Sequence, residues 1–282
     1  MSAPEPDSPG TNAFDPSAPD AVAAAERGLL EVRGLVKRFG GVTAVNALDM
    51  TVRAGDIHAL IGPNGSGKTT TLNVISGLYR ADGGSVGFGG TDLVRLPAHR
   101  IAARGIARTF QNIRLFGELS VLENVMIGRH VRTSAGFLGA LLPGGATARE
   151  ERATREFALE MLRFVGLEHA APHAARSLPY GDQRRVEIAR ALASEPRLLL
   201  LDEPAAGMNP AETDALVELL RAIRARGTTL LLIEHDMNLV MAISDRLTVL
   251  NFGQHIAEGP PAEVAHHPAV IEAYLGGTLD AA

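Results

Sequence analysis

The chain has 282 residues, of which 46% are hydrophobic, and its 27 Lys+Arg against 32 Asp+Glu give a formal net charge of −5. That length allows one large domain or two small ones around a sizeable core, and the acidic balance excludes a general polyanion coat, which needs a basic excess. The absence of cysteine removes disulfides, thiolate metal sites and cysteine nucleophiles, and the lack of Trp with only three Tyr leaves no stacking platform for bases.

Residues 1–28 are rich in Pro, Ala, Ser and Asp with few bulky apolar side chains. Such a segment buries too little to offset its ordering entropy, so a disordered tail is expected. The start, MSAPEPDSPG, lacks the basic and apolar regions of a secretory leader. Strands are predicted at 29–33 and 44–52. Residues 57–61 form a short apolar strand that runs into a Gly-rich turn, and a helix is predicted over 68–78. From 112 to 176 strand signals vanish. Ser120-Val-Leu-Glu123 and Thr147-Ala-Arg-Glu150 match the Ser/Thr-x-x-Glu pattern of a helix start. Within this helical stretch, 134–146 is Gly-rich and apolar and reads equally as a loop, a short helix or a docking patch. The continuous apolar runs at 197–202 and 228–233 suit strands buried on both faces of a parallel sheet. They are far short of the roughly 20 residues that span a bilayer, so a soluble cytoplasmic protein is expected. Asn209, Pro210 and Glu212 combine an N-cap, a first-turn proline and a capping box. Alternation of strand and helix indicates a layered α/β core.

The strongest chemical signal is Gly62, Pro63, Asn64, Gly65, Ser66, Gly67, Lys68 and Thr69, a full G-x-x-x-x-G-K-[ST] match between a strand and a helix. Glycines let the backbone curl so that several N–H groups point inward, and the helix N-terminus adds about half a positive charge. Lys68 can reach β- and γ-phosphates, Thr69 offers a hydroxyl to Mg²⁺, and Thr70 is placed for an α-phosphate oxygen. The second signal is the apolar run ending in Asp202-Glu203. A buried strand delivers Asp202 to the carboxyl edge of the sheet, where it can hold Mg²⁺ through water, and Glu203 can polarise an attacking water.

In motif order the chain resembles the ATPase subunits of ABC transporters over 29–276. Arg108-Thr-Phe-Gln111 is similar to the Q-loop. Leu178, Pro179, Tyr180, Gly181, Asp182 and Gln183 resemble the ABC signature that opens a helix. Asp202-Glu-Pro204 looks like the Walker B motif with its glutamate. Ala206-Gly-Met-Asn209 stands at the D-loop position, Ile233-Glu-His235-Asp resembles the switch histidine, and Phe39 stands where the family stacks an aromatic on adenine. The segments RTFQNIRLF, LLDEPAAGMNP, LLIEHDMNLVMAISDR and VIEAYLGG narrow the likeness to the LivG-type ATPases of branched-chain amino-acid importers.

The resemblance implies an α/β P-loop NTPase fold with a RecA-like, mostly parallel core, an antiparallel β subdomain and a helical insertion. It implies a core of 29–111 and 177–282 with a helical subdomain of 112–176, and no regulatory domain after Leu275. It implies ATP and Mg²⁺ as cofactors, with Glu203, His235, Lys68 and Gln111 catalytic and Thr69, Gln111 and Asp202 on the metal. The implied partners are a second ATPase, of the LivF type or a copy of this chain, two permease subunits and, indirectly, an extracytoplasmic amino-acid-binding protein, with no nucleic acid. The chain would then sit at the cytoplasmic face of the membrane.

Three residues depart from the family pattern. Where the signature usually has Ser and Gly, this chain has Pro179 and Tyr180, and proline offers neither hydroxyl nor N–H. Asn209 replaces a common Asp, keeping the cap and losing the charge. Other cargo (urea, another amide, or lipopolysaccharide export) stays open. A non-transport ABC ATPase is disfavoured by a single motif set, no coiled coil and the negative charge, and a non-hydrolysing scaffold by the presence of Lys68, Asp202, Glu203 and His235 together.

Overall fold

The computed structural model describes residues 28–132 and 145–276. Nearly all of the expected N-terminal tail and residues 134–144 of the Gly-rich segment lie outside the described residues. In chain order the elements are β1 (Leu30–Phe39), β2 (Val42–Val52), β3 (Ile57–Ile61), α1 (Lys68–Ile75), β4 (Gly83–Phe88), β5 (Thr91–Asp92), α2 (Ala98–Ala103), β6 (Ile106–Arg108), α3 (Val121–Arg129), α4 (Gly145–Phe164), α5 (Tyr180–Leu192), β7 (Leu198–Asp202), α6 (Pro210–Ala225), β8 (Thr229–Ile233), α7 (Met237–Ile243), β9 (Arg246–Asn251), β10 (Gln254–Gly259), α8 (Pro261–Val264) and α9 (Pro268–Gly276).

The strands make two sheets. One is antiparallel in the order β2-β1-β4-β5; the other has the order β10-β9-β3-β8-β7-β6. In the larger sheet β9, β3, β8, β7 and β6 run parallel, and only β10 is antiparallel, at the edge. Every residue of β3, β7 and β8 is buried. This is why their sequences read as unbroken apolar runs. The two-residue period of a strand sends Leu199, Leu201, Leu230 and Leu232 into a core shared with α3–α7, while Leu198, Leu200, Leu231 and Ile233 enter a second core with the antiparallel sheet and α1. At about 1.5–3 kcal/mol per buried aliphatic side chain, these strands anchor both cores at once.

Parallel strands all end at one edge, so the segments after β3, β6, β7 and β8 converge there. That places the Gly-rich turn, Gln111, Asp202-Glu203 and His235 together although they are far apart in sequence. Both helix caps near this edge form as expected. Ser120 accepts from Glu123 N at 3.2 Å, and Asn209 accepts from Glu212 N at 3.0 Å behind Pro210.

Several expectations are corrected. β1 continues past Arg33 to Phe39 through a register shift between Val32 and Leu35, where Gly34 N donates to Asp49 Oδ1 at 2.7 Å. α1 ends at Ile75 rather than residue 78, because Ser76 caps it and turns its hydroxyl back onto Leu72 O at 2.8 Å. α4 already begins at Gly145, so Thr147 lies inside the helix and does not cap it. Among its described residues the helical stretch contains one isolated bridge, Ser120 with Ala174.

Candidate active site

The Gly-rich turn is held by contacts that exclude any side chain at two of its glycines. A Cβ on Gly62 would lie 2.1 Å from Leu250 O, and one on Gly67 would lie 2.3 Å from Ala44 O. Both also have positive φ, 146° and 101°, so glycine is required twice over. Lys68 folds across the turn and donates to Gly62 O at 2.7 Å and Pro63 O at 2.8 Å. Burial lowers its pKa, while Glu203 and Asp202 pull it back up. Ser66 is buried beneath the loop, Asn64, Gly65 and Thr69 are exposed on it, and Pro63 and Thr70 are half-buried. One neighbour was not visible in the sequence: Tyr274 of α9 stands by Gly62, and burial pushes its phenol up in pKa.

The floor of the site comes from the sheet edge. Asp202, at the end of β7, has Oδ1 3.5 Å from Thr69 Oγ1 and Oδ2 2.9 Å from an Arg108 guanidinium nitrogen. Glu203 follows in a left-handed conformation, φ 48°, which is costly for a residue with a Cβ and typical of functional turns. Its N–H is held by Ile233 O at 2.9 Å. Its carboxylate accepts from Gln111 Nε2 at 2.8 Å and lies 3.9 Å from His235 Nδ1. Gln111 therefore turns its amide nitrogen to Glu203, so its oxygen points the other way. His235 is largely exposed, its backbone held through Glu234. Glu234 was given no role from sequence, yet it is fully buried and accepts from Ala205 N at 2.8 Å and His235 N at 3.1 Å. Burial raises its pKa against those hydrogen bonds. It ties the loop after Glu203 to the loop carrying His235.

The donor set suits a cation that brings its own ligands. Among the described residues no group of three or more His, Cys, Asp or Glu side chains is placed to hold a metal ion. Thr69 and Asp202 supply one hydroxyl and one carboxylate side by side. Mg²⁺ binds in this way, taking one or two protein oxygens and filling the rest from phosphate and water.

The residues 178–183 are not part of this cluster. No hydrogen bond or ion pair among the described residues joins them to 62–70. Gln183 donates to Leu178 O at 2.8 Å, Tyr180 packs its ring near Gly207, and Gly181 faces Glu212. Pro179 is the N-cap of α5 and supplies no side-chain hydrogen bond. Behind them, fully buried Arg184 donates to Phe110 O at 2.6 Å, to Gln111 O at 2.7 Å and to Glu187 at 2.8 Å. The signature helix is thus bolted to the backbone that carries Gln111. Phe39 stands apart at the end of β1, 44% exposed, with its ring edge-on to Tyr79 at 5.2 Å.

The ABC transporter family matches residues 45–206. The chain belongs to this family. A second family, described as branched-chain amino acid ATP-binding cassette transporter, matches 254–280. The high-affinity branched-chain amino acid transport ATP-binding protein BraF of Pseudomonas aeruginosa is 46% identical over 251 residues, covering 89% of this chain and 98% of its own. The corresponding LivG protein of Salmonella typhimurium is 47% identical over 249 residues, 88% of this chain and 98% of its own. A solved ATP-binding cassette of an ABC transporter in its ADP conformation superposes with a TM-score of 0.77 at 36% identity, covering 88% and 98% of the two chains. A dimeric cassette in a post-hydrolysis state with ADP and Pi gives 0.70 at 26% identity, covering 82% and 98%. The antiparallel sheet, parallel core and helices of this chain are those of an ABC ATPase, and the family hydrolyses ATP. Of the groups overlooked in the sequence, Arg108 stands inside a quoted motif and Arg184 directly follows one. Their long-range partners carry no local signal.

Proposed function

We propose that this chain is the ATP-hydrolysing subunit of an ABC importer, binding MgATP and driving uptake of branched-chain amino acids through separate membrane subunits. One observation carries the reading: Lys68, Thr69, Gln111, Asp202, Glu203 and His235 converge on one sheet edge in a chain similar along its length to branched-chain amino-acid ATP-binding proteins.

The residues present divide the work. The loop amides and the α1 N-terminus bind the phosphates, and Lys68 exchanges its carbonyl partners Gly62 and Pro63 for phosphate oxygens. Thr70 takes an α-phosphate oxygen, and Phe39 offers its exposed ring to adenine. Mg²⁺, when bound, is held by Thr69, Gln111 and Asp202 and neutralises phosphate charge. Glu203 accepts a hydrogen bond from the attacking water, and its strained backbone and Gln111 fix its direction. His235 holds the phosphate and water from the opposite loop. Catalysis is then mostly positioning and electrostatics.

Among the described residues no hydrogen bond or ion pair ties 178–183 to this chain's own phosphate loop, which favours their closing over nucleotide held by a second ATPase subunit. We take that subunit to be of the LivF type. Phe116, Ile127 and Val131 leave apolar surface exposed along the stretch after Gln111. Two permease subunits docked there would feel movement of the Q-loop. Among the described residues no helix is long and apolar enough to cross a membrane. The reading places the chain peripherally at the cytoplasmic face, held by its permeases, with the cargo chosen by an extracytoplasmic binding protein. A pull-down from native membranes with this chain as bait tests it. The expected harvest is two permeases and a second ATPase. A lipopolysaccharide-type permease alone, ribosomes or DNA would overturn the transport assignment and leave the ATP chemistry standing.

A further inference from the structure

Arg108 is a buried cation in a place where the proposed chemistry assigns it no task. It ends β6, its side chain is 6% exposed, and the Asp202 carboxylate it meets is 3% exposed. One terminal nitrogen donates to Asp202 Oδ2 at 2.9 Å. The other donates to Asn73 Oδ1 at 2.7 Å and to Ser76 Oγ at 2.9 Å, both at the far end of α1. Its Nε is buried without a hydrogen-bond partner, and burial presses its pKa down while Asp202 pulls it up. The guanidinium therefore bridges the helix that begins with Lys68 and Thr69 to the strand that ends in Asp202.

This splits the Asp202 carboxylate. Oδ2 belongs to a permanent cation, and only Oδ1 faces Thr69. The nearby charges are Arg108, Lys68 and, across the Phe110 ring, Arg114 against Asp202 and Glu203, so no net negative charge awaits a cation before nucleotide arrives. A divalent ion alone meets a carboxylate already half used and a second positive charge behind it. Triphosphate oxygens reverse that balance.

We propose that Arg108 is the built-in counter-ion of Asp202: it sets the carboxylate so that one oxygen faces Thr69, and it makes divalent-metal capture conditional on bound nucleotide. Arg108 is a positioning residue in this scheme. The inference rests on Asp202 being the metal-side carboxylate of the proposed function, and the test separates the two.

The test is Mn²⁺ binding by the full chain, read by electron paramagnetic resonance, with and without a non-hydrolysable ATP analogue. Wild type should bind Mn²⁺ far more tightly with the analogue than without it. Arg108→Met should bind Mn²⁺ without nucleotide at least about tenfold more tightly than wild type, and adding Asp202→Asn should abolish the gain. Arg108→Lys, which keeps the charge, should restore nucleotide dependence; a purely structural arginine would not be rescued this way. Should Arg108→Met fail to fold, Arg108→Lys against Arg108→Gln makes the same comparison. Unchanged nucleotide-free Mn²⁺ affinity in the folded neutral variants overturns the counter-ion proposal alone. Unchanged Mn²⁺ affinity with the analogue in Asp202→Asn overturns the metal role of Asp202 and the proposal with it.

Discussion

The phosphate loop and the signature both open a helix, and the two helix starts are finished in opposite ways. α1 follows Gly67 with no acidic side chain in its first turn, and Lys68 waits beside it on borrowed carbonyls. α5 follows Pro179, which contributes no cap hydrogen bond, and carries Asp182 in its first turn. A carboxylate there already answers the helix dipole and repels an incoming phosphate. What the signature end has instead is attachment: Arg184 spends its hydrogen bonds on the backbone of Phe110 and Gln111. One end is organised to hold an anion, the other to follow the Q-loop. In a pair of unlike subunits, the expected outcome is that the composite site using this chain's phosphate loop is the stronger one.

The largest effect should come from the catalytic side. Glu203→Gln keeps the Gln111 contact in shape but removes the charge proposed to polarise water, and should cut ATP turnover by about 10²–10⁴-fold while ATP binding survives. In the assembled transporter this loss should exceed that from the matching change in the partner ATPase. Steady-state hydrolysis by each single variant measures it, and equal losses would remove the asymmetry.

Next comes the attachment. Arg184→Met leaves Glu187 buried without its 2.8 Å partner, and burial already raises the Glu187 pKa. Glu187 keeps Arg190 at 3.8 Å and Arg114 N at 3.4 Å, so the loss should stay below the ~3–5 kcal/mol of a fully stranded buried charge. Chemical denaturation should show that loss, and adding Glu187→Leu should recover much of it. Full stability in the single variant would show that the bolt carries no strain-bearing load.

A third prediction concerns the core beneath both ends. His58 is fully buried in β3, its Nε2 2.8 Å from Thr248 Oγ1. Burial, then Arg246, lowers its pKa from 6.5 to about 3. Above the unfolded value both states are neutral and nothing is lost. Between the two values the unfolded chain takes a proton the folded chain refuses, so stability falls as pH falls. At pH 5 the loss is about 2 kcal/mol. His58→Gln should flatten that slope in denaturation midpoints taken from pH 7 to pH 5.

The two ends also differed in how much of them could be read. The phosphate loop announces itself because its contacts are local: spacing, glycines and an apolar strand suffice. The parallel strands β3, β7 and β8 were legible for the same reason, since burial on both faces leaves unbroken apolar runs. β4, with the sequence GGSVGF, and the polar β10 show no such run; the antiparallel sheet and the sheet edge create them by pairing. Arg108, Arg184, Glu234 and Tyr274 escaped assignment because their partners arrive from distant segments. Arg108 meets Asp202 across 94 positions.

The smallest effect probes the signature end directly. Pro179 has the extended dihedrals of an N-cap, φ −55° and ψ 155°, so serine fits without moving the backbone. A serine hydroxyl there can accept from a first-turn N–H, worth about 1 kcal/mol, against which the freer unfolded chain costs about 0.4–1 kcal/mol. Thermal stability of Pro179→Ser should therefore barely move. Its functional effect should fall on the partner's nucleotide, because that hydroxyl would add a donor where residues 178–183 close over the other subunit. In the heterodimer, hydrolysis at the partner's phosphate loop should rise a few-fold, and hydrolysis at this chain's own loop should stay constant. A rise confined to this chain's site would mean that its signature serves its own nucleotide, and the division of labour between the two helix starts would have to be redrawn.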